Sequence, residues 1–548
     1  MAEGAGAPAM RWWGWGNPDH PSALPARALG FLSAAGIGTT PRPPVALGRV
    51  ALAPPAIEEA VLARLRDIVG PTGVRDDHSE RVLHAAGKGY PDLVRLRAGE
   101  PEGAPDAVVH AGGHEEVRRV LELCARSSVA VVPFGGGTSV VGGVAPLRGK
   151  HGAVVALDMG RMGQVLALDA ESATVTVQGG IRAPALERHL GARGLTLGHF
   201  PQSFEYVSLG GCAATRSAGQ ASTGYGAIDK MVLGVRFAAP ASEIDLPAMP
   251  ATAAGPSLRQ LLVGSEGTLG VISELDLRVR PAPRERVYEG VFFTSFHAGV
   301  DALRTLAREH AMPDVARLSD EQETRMSLAL AGGGGAKGLL GRLYVGLRGY
   351  RDGCLGILGF EGSPEDVAVR RSRASRLVRG CGGLSVGRSP GEAWRRGRFS
   401  APYLRDELLS LGVMVETLET ATPWSNLHRL HEAVARAIAE ALGACGTPGI
   451  VMCHVSHLYE TGASLYFTFI AQQRHGDEIG QWRAVKEAAS REIVTGGGTI
   501  THHHAVGLDH GPWMAEEVGR GGLAALRAIK DELDPTGIMN PGKLIPRG

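Results

Sequence analysis

Two kinds of hydrophobic pattern alternate along most of this chain. Apolar residues recur every three or four positions over residues 57–69, 115–127, 184–190, 299–310, 427–442 and 523–533, a spacing that predicts amphipathic helices. Short valine-rich runs over residues 106–112, 129–134, 153–158, 165–168, 173–177 and 287–293 predict strands. Because strand, helix, strand and glycine turn follow one another from residue 104 onward, the pattern predicts a fold that mixes helices and sheets.

Residues 456–469 are expected to form a hairpin. The second half of this segment alternates aromatic and smaller side chains, as a strand with two different faces would. Aromatic residues at such positions usually belong to the core, so the pattern by itself assigns no chemistry to Tyr466.

Changes of composition divide the chain into four parts. Residues 1–99 form an arm and a helical region, 100–285 and 286–498 form two domains, and 499–548 form a terminal segment. The arm contains Arg-Trp-Trp-Gly-Trp-Gly at residues 11–16, which is too apolar to stay in water and is expected to dock on the body of the protein. The glycine-rich run at residues 331–338 is expected to be a mobile loop.

Composition and charge exclude several classes of protein. The 548 residues include 57 Lys plus Arg and 56 Asp plus Glu, so the formal net charge of +1 argues against a nucleic-acid binder. We find no signal peptide and no apolar stretch of about 20 residues, so we expect no transmembrane helix, while a peripheral membrane contact stays open. Six scattered cysteines favour a reducing, cytoplasmic setting. The Ala-, Gly- and Arg-rich composition is typical of a GC-rich bacterial gene, which makes the inner membrane the surface for any such contact.

Three stretches rich in glycine, serine and threonine carry the first candidate chemistry. They span residues 133–143, 198–226 and 264–272. Consecutive glycines let backbone N–H groups approach an anion closely, and the hydroxyls of Thr138 and Ser139 add donors. The spacing fits neither GxGxxG nor GxxxxGKS, and each stretch alone could be an ordinary tight turn.

Taken together, the three stretches resemble the FAD-binding domain of the vanillyl-alcohol-oxidase type. The resemblance implies that the first loop and the later Gly-Gly segment hold the pyrophosphate and that residues 264–270 lie near the adenosine half. Some members of that family attach the flavin through a histidine in the first loop. Residues 132–135 contain no histidine, so we expect non-covalent FAD. The expected cofactor-binding residues are Pro133, Phe134, Gly135, Gly136, Gly137, Thr138, Ser139, Gln202, Ser203, Ser208, Gly210, Gly211, Thr215, Arg216, Ser217, Ala218, Glu266, Gly267, Thr268, Leu269, Gly270, Val271 and Ile272.

The sequence Thr-His-His-His-Ala-Val-Gly at residues 501–507 is the second candidate site. If this segment is a strand, at most two of its three imidazoles can share a face. Imidazoles in such an apolar, glycine-rich setting could act as acid or base groups, phosphate donors or metal ligands. Histidines that simply face solvent are the alternative.

Further motifs resemble the alkyldihydroxyacetonephosphate synthase family along nearly the whole chain. They are the tryptophan-rich arm, GKGYPDLVRLRAG at residues 87–99, GASLYFTF at 462–469, the histidine run and LDPTGIMNPGKL at 533–544. The resemblance implies an FAD-dependent, redox-neutral exchange of the acyl group of acyl-dihydroxyacetone phosphate for a long-chain alcohol. The reaction passes through a covalent adduct at flavin N5, and it yields an alkyl-dihydroxyacetone phosphate and a fatty acid.

The same resemblance implies a fold and a set of site residues. The fold class is α+β, with an FAD-binding domain at 100–285, an α/β cap domain at 286–498 and a terminal segment that returns to the flavin. It also implies a homodimer, an apolar tunnel that the sequence does not locate, and no metal. One departure is Gln202, which stands where the synthases have an acidic residue. The implied catalytic residues are Tyr466, His502, His503, His504 and Arg317, and the implied substrate-binding residue is Arg405.

Other functions stay open at this point. A D-2-hydroxyacid dehydrogenase would share the FAD domain and the Asn-Pro-Gly-Lys sequence at 540–543, but such enzymes typically carry HxGDGNxH and EHGxG motifs that hold a metal. Here the first motif is replaced by residues 457–466, and His503 stands where the second has its glutamate. An oxidase that uses O2, or a flavin-binding scaffold without activity, is a further alternative.

Overall fold

The computed structural model describes residues 10–17, 24–25, 27–330, 346–350 and 352–546. The run predicted to be a mobile loop, 331–338, lies outside these residues. In the part of the chain that is described, no helix is long and apolar enough to cross a membrane.

The first sheet has four strands in the order β1-β2-β4-β3, of which β2, β4 and β3 run parallel. Its core strands are short, apolar and buried, as expected for strands covered on both faces. The elements of this part are α1 (Ala28–Ala34), α2 (Glu59–Val69), β1 (Val74–Arg75), α3 (His78–Leu83), α4 (Tyr90–Ala98), β2 (Ala107–His110), α5 (His114–Arg126), β3 (Val129–Phe134) and β4 (Ala153–Asp158).

The second sheet is antiparallel, with the order β5-β6-β10-β8-β9, and a two-stranded sheet, β11-β7, lies beside it. Its elements are β5 (Val165–Asp169), β6 (Thr174–Gln178), α6 (Ala183–Gly191), β7 (Leu195–Thr196), α7 (Leu209–Ala214), α8 (Ser222–Tyr225), α9 (Ile228–Met231), β8 (Val232–Ala238), β9 (Glu243–Leu246), α10 (Leu258–Leu262), β10 (Val271–Arg278) and β11 (Arg280–Pro281).

The third sheet has seven strands in the order β15-β12-β14-β13-β17-β18-β16, and the pairings between its described strands are antiparallel. The strands are β12 (Glu285–Phe293), β13 (Val315–Ser319), β14 (Cys354–Gly362), β15 (Leu384–Gly387), β16 (Val413–Pro423), β17 (Ile450–Leu458) and β18 (Gly462–Gln472). The helices are α11 (Phe296–Arg308), α12 (Glu321–Leu330), α13 (Pro364–Gly380), α14 (Arg388–Gly397), α15 (Ala401–Leu409), α16 (Leu427–Ala444), α17 (Glu478–Thr495) and α18 (Met514–Leu533).

One large core joins this sheet to the helices packed on it. Along α16 the buried residues Leu427, Leu430, Val434, Ile438 and Leu442 recur at helical spacing, so a single apolar stripe faces the sheet. The same hydrophobic cluster takes in residues of α11, α13 and α17. Packing against these helices therefore stabilises the third sheet.

The predicted elements are confirmed with small shifts of their ends. Strand β4 has the predicted bounds, and the predicted hairpin is formed by β17 and β18. The final helix is longer than predicted because α18 begins at Met514 rather than near residue 523. It contains a break at Gly519, where φ is 71°, and this glycine-rich break hides the first turns from a search for helical spacing.

The tryptophan-rich arm docks on the body, as predicted. Trp15 is 4% exposed, and its backbone N–H donates to Asp406 Oδ2 at 2.5 Å. The guanidinium groups of Arg11 and Arg97 lie 4.8 Å and 4.9 Å from the centre of the Trp13 ring. The arm is therefore held against α15.

The terminal segment returns to the first two sheets. Met539 pairs with Val131 of β3, and the Asn540 side chain donates to the carbonyl oxygens of Gly143 and Glu266. The half-buried Lys530 ammonium donates to the carbonyl oxygen of Thr268 at 2.6 Å. With the terminal segment in this position, the histidine run at residues 502–504 lies between the first two sheets and the third sheet.

A cluster of two histidines and two carboxylates supports the first sheet. His110 lies 3.2 Å from Glu80 and 3.4 Å from Asp158, and His84 lies 2.9 Å from the second oxygen of Asp158. Burial alone would lower the pKa of His110, but its contacts with the two carboxylates outweigh burial and raise this pKa to about 9. The His84 ring also packs on Phe134, 4.4 Å away between ring centres, so the cluster stabilises the start of the first glycine loop.

We predict that His110→Gln destabilises the protein at pH 6 and has little effect near pH 10. The pKa of His110 is about 9 in the folded state and about 6.5 in an unfolded chain. Its charge therefore stabilises the fold fully below about pH 6.5, and this contribution is lost as the pH rises through 9. Urea unfolding should show a loss of roughly 1–3 kcal/mol at pH 6. An equal loss at both pH values would contradict the charge-based explanation.

Candidate functional site

A cavity of about 760 Å³ lies between the first two sheets and the third. All three glycine-rich stretches contribute to its wall, although they are far apart in sequence. The predicted cofactor residues that line it are Pro133, Phe134, Gly135, Gly136, Gly137, Thr138, Ser139, Gln202, Ser203, Ser208, Gly210, Gly211, Thr215, Ser217, Ala218, Glu266, Gly267, Gly270, Val271 and Ile272. The volume lies in the range of cavities that bind cofactors and small molecules.

Three predicted cofactor residues do not line this cavity. The side chain of Arg216 is 47% exposed and donates to Gln260, and its backbone has a positive φ of 52°. Thr268 and Leu269 lie behind the wall, where Thr268 donates to the Ser265 carbonyl and Leu269 belongs to the core of the second sheet. Their predicted role in cofactor binding has no support from this geometry.

Glycine is required where the first loop crosses the segment 206–211. A Cβ atom at Gly136 would stand 2.2 Å from the Tyr206 carbonyl oxygen, and one at Gly135 would stand 2.1 Å from Ser208 Oγ. Any side chain would therefore push the two segments apart. Their close approach puts bare backbone at the cavity wall, which suits a pyrophosphate group.

Imidazole rings surround Tyr466 of β18. The centre of its ring lies 4.8 Å from that of His454, 5.9 Å from that of His503 and 5.5 Å from that of His504. All four side chains line the cavity. Burial raises the pKa of Tyr466 to about 12, although a hydrogen bond with Thr417 acts in the opposite direction. The phenol is therefore protonated at neutral pH and can donate a proton.

The histidine run forms a bend, so the alternation expected of a strand does not apply. His503 and His504 line the cavity, whereas His502 lies behind them with Nε2 2.5 Å from the Tyr459 hydroxyl. Burial lowers the pKa of His502 to about 4 and that of His503 to about 3, and it also lowers the pKa of His504. These imidazoles are neutral at pH 7 and can accept protons.

Arg317 of β13 reaches Tyr466 through His454. Its guanidinium donates to Glu323 at 2.6 Å and lies 2.9 Å from His454 Nε2. Burial and the nearby Arg317 charge both lower the pKa of His454, which is therefore neutral. Arg317 thus lines the cavity as a cation and also fixes the imidazole that stacks on Tyr466.

Arg405 of α15 lies where the tryptophan-rich arm meets the cavity. It is 7% exposed, lines the cavity and donates to the Lys88 carbonyl. Lys88 is itself buried, and this burial lowers its pKa to about 8. The neighbouring carboxylate, Asp406, accepts the Trp15 backbone N–H, so the arm supports the helix that carries Arg405.

Apolar residues form another part of the wall. Met326, Leu330, Val415 and Met452 line the cavity, and three of them belong to one hydrophobic cluster between α12, β16 and β17. These residues form an apolar surface in the cavity. The family resemblance implies an apolar tunnel, and whether this surface belongs to it stays a prediction.

Three histidines have the geometry of a possible metal site. Ring nitrogens of His457, His502 and His503 lie within 4.8 Å of one another. The nitrogens of His457 contact Ser456 and the Gly219 carbonyl, and those of His502 contact Tyr459 and His503. Protein groups therefore already contact these four nitrogens. That the protein binds no metal here stays a prediction, which metal analysis of purified protein would test.

Two family models match the chain: "FAD binding domain" over residues 105–244 and "FAD linked oxidases, C-terminal domain" over 282–544. Alkyldihydroxyacetonephosphate synthases from Dictyostelium discoideum and Trypanosoma brucei brucei are 33% and 34% identical to it, over 92% and 90% of this chain and 84% and 82% of theirs. A solved alkyldihydroxyacetonephosphate synthase structure, 29% identical, superposes with a TM-score of 0.85 over 98% of this chain and 99% of its own.

The chain belongs to the alkyldihydroxyacetonephosphate synthase family. Membership confirms the resemblance noted in the sequence, the flavoenzyme class and the predicted fold, an FAD-binding domain of the vanillyl-alcohol-oxidase type with a second domain. FAD is therefore the cofactor to which the glycine-rich cavity wall corresponds. The two synthases named above come from eukaryotes, so they give no support to the bacterial source expected from composition.

This chain is less similar in sequence to a D-lactate dehydrogenase than to the synthases. A "Probable D-lactate dehydrogenase, mitochondrial" from Danio rerio is 27% identical over 92% of this chain. The identity is lower than that of the synthases, although the lengths matched are similar.

Sequence reasoning missed several residues of the site. His454 and His457 both line the cavity, although strict alternation would put them on opposite faces of β17. A register shift between Val455 and Leu458 places both there, and no motif in the sequence marks this bulge. Arg398, a third arginine of the wall, was also missed, and its stacking on Phe200 and Phe399 has no local sequence signal.

We predict that Gly136→Ala greatly weakens FAD binding. The new methyl group would stand 2.2 Å from the Tyr206 carbonyl oxygen, so the first loop must move away from the segment behind it. Flavin absorbance per protein and fluorescence titration of apoprotein should show at least about a tenfold loss of affinity, or about 1.4 kcal/mol. Gly152→Ala is the matched control, because nothing lies within 4 Å of its added Cβ. Equal affinity in both variants would contradict the predicted role of the loop.

Proposed function

We propose that this protein exchanges the acyl group of acyl-dihydroxyacetone phosphate for a long-chain alcohol and so forms an alkyl-dihydroxyacetone phosphate and a fatty acid. The observation that carries the proposal is that Tyr466, His503, His504, Arg317 and Arg405 line the same cavity as the glycine-rich FAD wall. The names of the synthase relatives state the product of this exchange, alkyl-dihydroxyacetone phosphate.

The arginines of the cavity suit a phosphate-bearing substrate. Arg405 and Arg398 provide permanent positive charge and planar donors, which match the geometry of phosphate oxygens. Arg317 is already paired with Glu323, so we assign it to the support of His454 and assign Arg405 to the phosphate.

The side chains around Tyr466 can manage the protons of this exchange. A neutral imidazole, His503 or His504, accepts the proton from the carbon next to the ketone, and the protonated phenol of Tyr466 donates to the departing carboxylate. The imidazole later returns its proton to the same carbon, and the proton lost by the entering alcohol restores the phenol, so the exchange needs no net proton and no external oxidant. Bound FAD would supply a ring nitrogen as the covalent partner of the substrate carbon, which would let one difficult substitution proceed in two steps.

The apolar part of the wall suits the long chains of both substrates. Met326, Leu330, Val415 and Met452 would contact hydrocarbon, which fits a lipid acyl or alkyl chain. This surface favours the proposed substrate over a small 2-hydroxy acid, which would leave this part of the cavity wall uncovered.

We also propose that FAD is held non-covalently, since the loop Pro133–Ser139 carries no histidine. Acid precipitation of the purified protein should release the flavin into the supernatant. Flavin that stays with the precipitate would contradict this proposal.

The remaining expectations about organisation are proposals as well. We propose the boundaries 1–99, 100–285, 286–498 and 499–548 for the arm, FAD-binding domain, cap domain and returning segment. We further propose a cytoplasmic homodimer that contacts a membrane surface peripherally, because both substrates are lipids. Sedimentation and flotation with lipid vesicles test these two points.

The experiment that tests the proposed function is mass spectrometry of the products. FAD-loaded protein is incubated without oxygen with palmitoyl-dihydroxyacetone phosphate and a long-chain alcohol. We expect the alkyl ether product together with an equal amount of palmitate. A sample with intact bound flavin that forms neither would contradict the proposal, and bleaching of that flavin by D-2-hydroxy acids would then favour the dehydrogenase alternative.

We predict that Tyr466→Phe lowers kcat by roughly 10²–10³-fold, because the variant loses the phenolic proton but keeps the ring. The flavin content should not change, since the ring still packs between the imidazoles. Product formation is measured by the same mass spectrometric assay. Tyr350→Phe, whose hydroxyl donates to the Gly382 carbonyl, is the control and should retain activity. Full activity in Tyr466→Phe would exclude proton transfer by this residue.

A further inference from the structure

Glu419 of β16 is a buried carboxylate beside the histidine run. It is 1% exposed and pairs in the antiparallel register with Tyr466 of β18. A carboxylate in such a position costs several kcal/mol unless donors satisfy it. The hydrogen-bond partners of Glu419 therefore indicate which segment of the chain it positions.

Four donors from four consecutive residues converge on this carboxylate. The backbone N–H groups of His502, His503 and His504 donate to it, the last two at 3.1 Å and 2.8 Å, and the Thr501 hydroxyl donates at 2.8 Å. A bend whose successive N–H groups point inward at one anion has a defined shape. The bend that presents the imidazoles is thus wrapped around Glu419.

The charge of Glu419 is maintained by these contacts. Burial alone would raise its pKa, but the adjacent imidazoles and the backbone donor of His503 hold the pKa well below its usual range. At neutral pH Glu419 is therefore ionised, and the donors of residues 501–504 satisfy its oxygens.

A second buried carboxylate holds the other end of the same segment. The N–H groups of Val506 and Gly507 donate to Glu266 at 2.8 Å and 2.7 Å. Between the two groups lies Ala505, whose φ of 76° is unfavourable for a side-chain-bearing residue. The segment thus lacks helix or strand hydrogen bonds, and carboxylates from two parts of the chain replace them.

We propose that Glu419 is a positioning residue that fixes the 501–504 bend and thereby holds His503 and His504 against Tyr466. It contacts the bend and not the cavity, so it acts through the imidazoles. The proposal deepens the proposed function and rests on it for its kinetic consequences, whereas its structural consequence can be tested without substrate.

The test is Glu419→Gln in the FAD-loaded protein. The amide keeps the shape but replaces one acceptor oxygen by an NH2 group, which faces a backbone N–H and cannot accept from it. Hydrogen–deuterium exchange should become at least about tenfold faster in peptides that cover residues 501–504, while the glycine loop at 135–139 and the flavin content do not change. Unchanged exchange in the 501–504 peptides would overturn the proposal, whatever the protein's activity.

Kinetics give the second readout. We expect kcat for ether formation to fall by roughly 10–100-fold in Glu419→Gln, as for other residues that orient a catalytic ligand, with KM within about threefold. Glu419→Asp keeps the charge on a shorter side chain and should recover part of kcat. A loss confined to KM, or no recovery in Glu419→Asp, would overturn the proposal.

Glu416→Gln is the matched control on the same strand. Glu416 is 2% exposed and accepts the Trp482 indole N–H at 2.6 Å, so it is a buried glutamate that accepts no hydrogen bond from residues 501–504. This variant should lose stability but keep kcat and slow exchange at 501–504. If it behaves like Glu419→Gln, the effect is general destabilisation and the proposal fails. If Glu419→Gln does not fold with flavin, Glu419→Asp decides: it must speed exchange at 501–504 relative to the wild type, and equal exchange refutes positioning.

Discussion

The burial of ionisable side chains between the sheets is the constraint on which this site depends. Removal from water favours the neutral form of every group, so the same environment raises the pKa of the Tyr466 phenol to about 12 and lowers that of His503 to about 3. A donor and its acceptors therefore coexist within one cluster without net charge. The positive charge of the cavity is left to arginines, which stay ionised when they are buried.

Charges that remain buried need partners, and the partners come from distant parts of the chain. Arg317 is balanced by Glu323, and Glu419 by the bend at 501–504. Glu266 of the FAD wall and Glu419 of the third sheet hold opposite ends of one seven-residue segment. The imidazoles that line the cavity are thus placed only when the terminal segment lies between the two parts, which couples the cavity to the chain end.

Local sequence signals predicted the parts of this structure that local physics decides. Valine-rich runs gave the strands of the first sheet, and apolar spacing gave helices such as α16, because both depend on neighbouring residues. The glycine loop was predictable because consecutive glycines after a strand mark a turn of bare backbone, whereas the collision of a Cβ at Gly136 with the distant Tyr206 was not. The roles of Tyr466 and the histidines came from family resemblance, since their own pattern was that of an ordinary hairpin and an unexplained histidine run.

Other residues could not be found because long-range geometry decides them. His457 joins His454 at the cavity through a bulge, and Glu419 meets the bend through strand register across 83 residues of chain to His502. Arg216 does not line the cavity and instead donates to Gln260, a residue distant in sequence. The side chains of the cavity also favour the proposed synthase function over the dehydrogenase alternative. The metal-binding dehydrogenases typically carry a glutamate in their second motif, whereas position 503 of this chain carries a histidine, and Glu419 accepts the backbone N–H groups of the bend. A substitution at carbon needs movable protons beside a fixed phosphate, and phenol, imidazole and guanidinium are the groups that this cavity supplies.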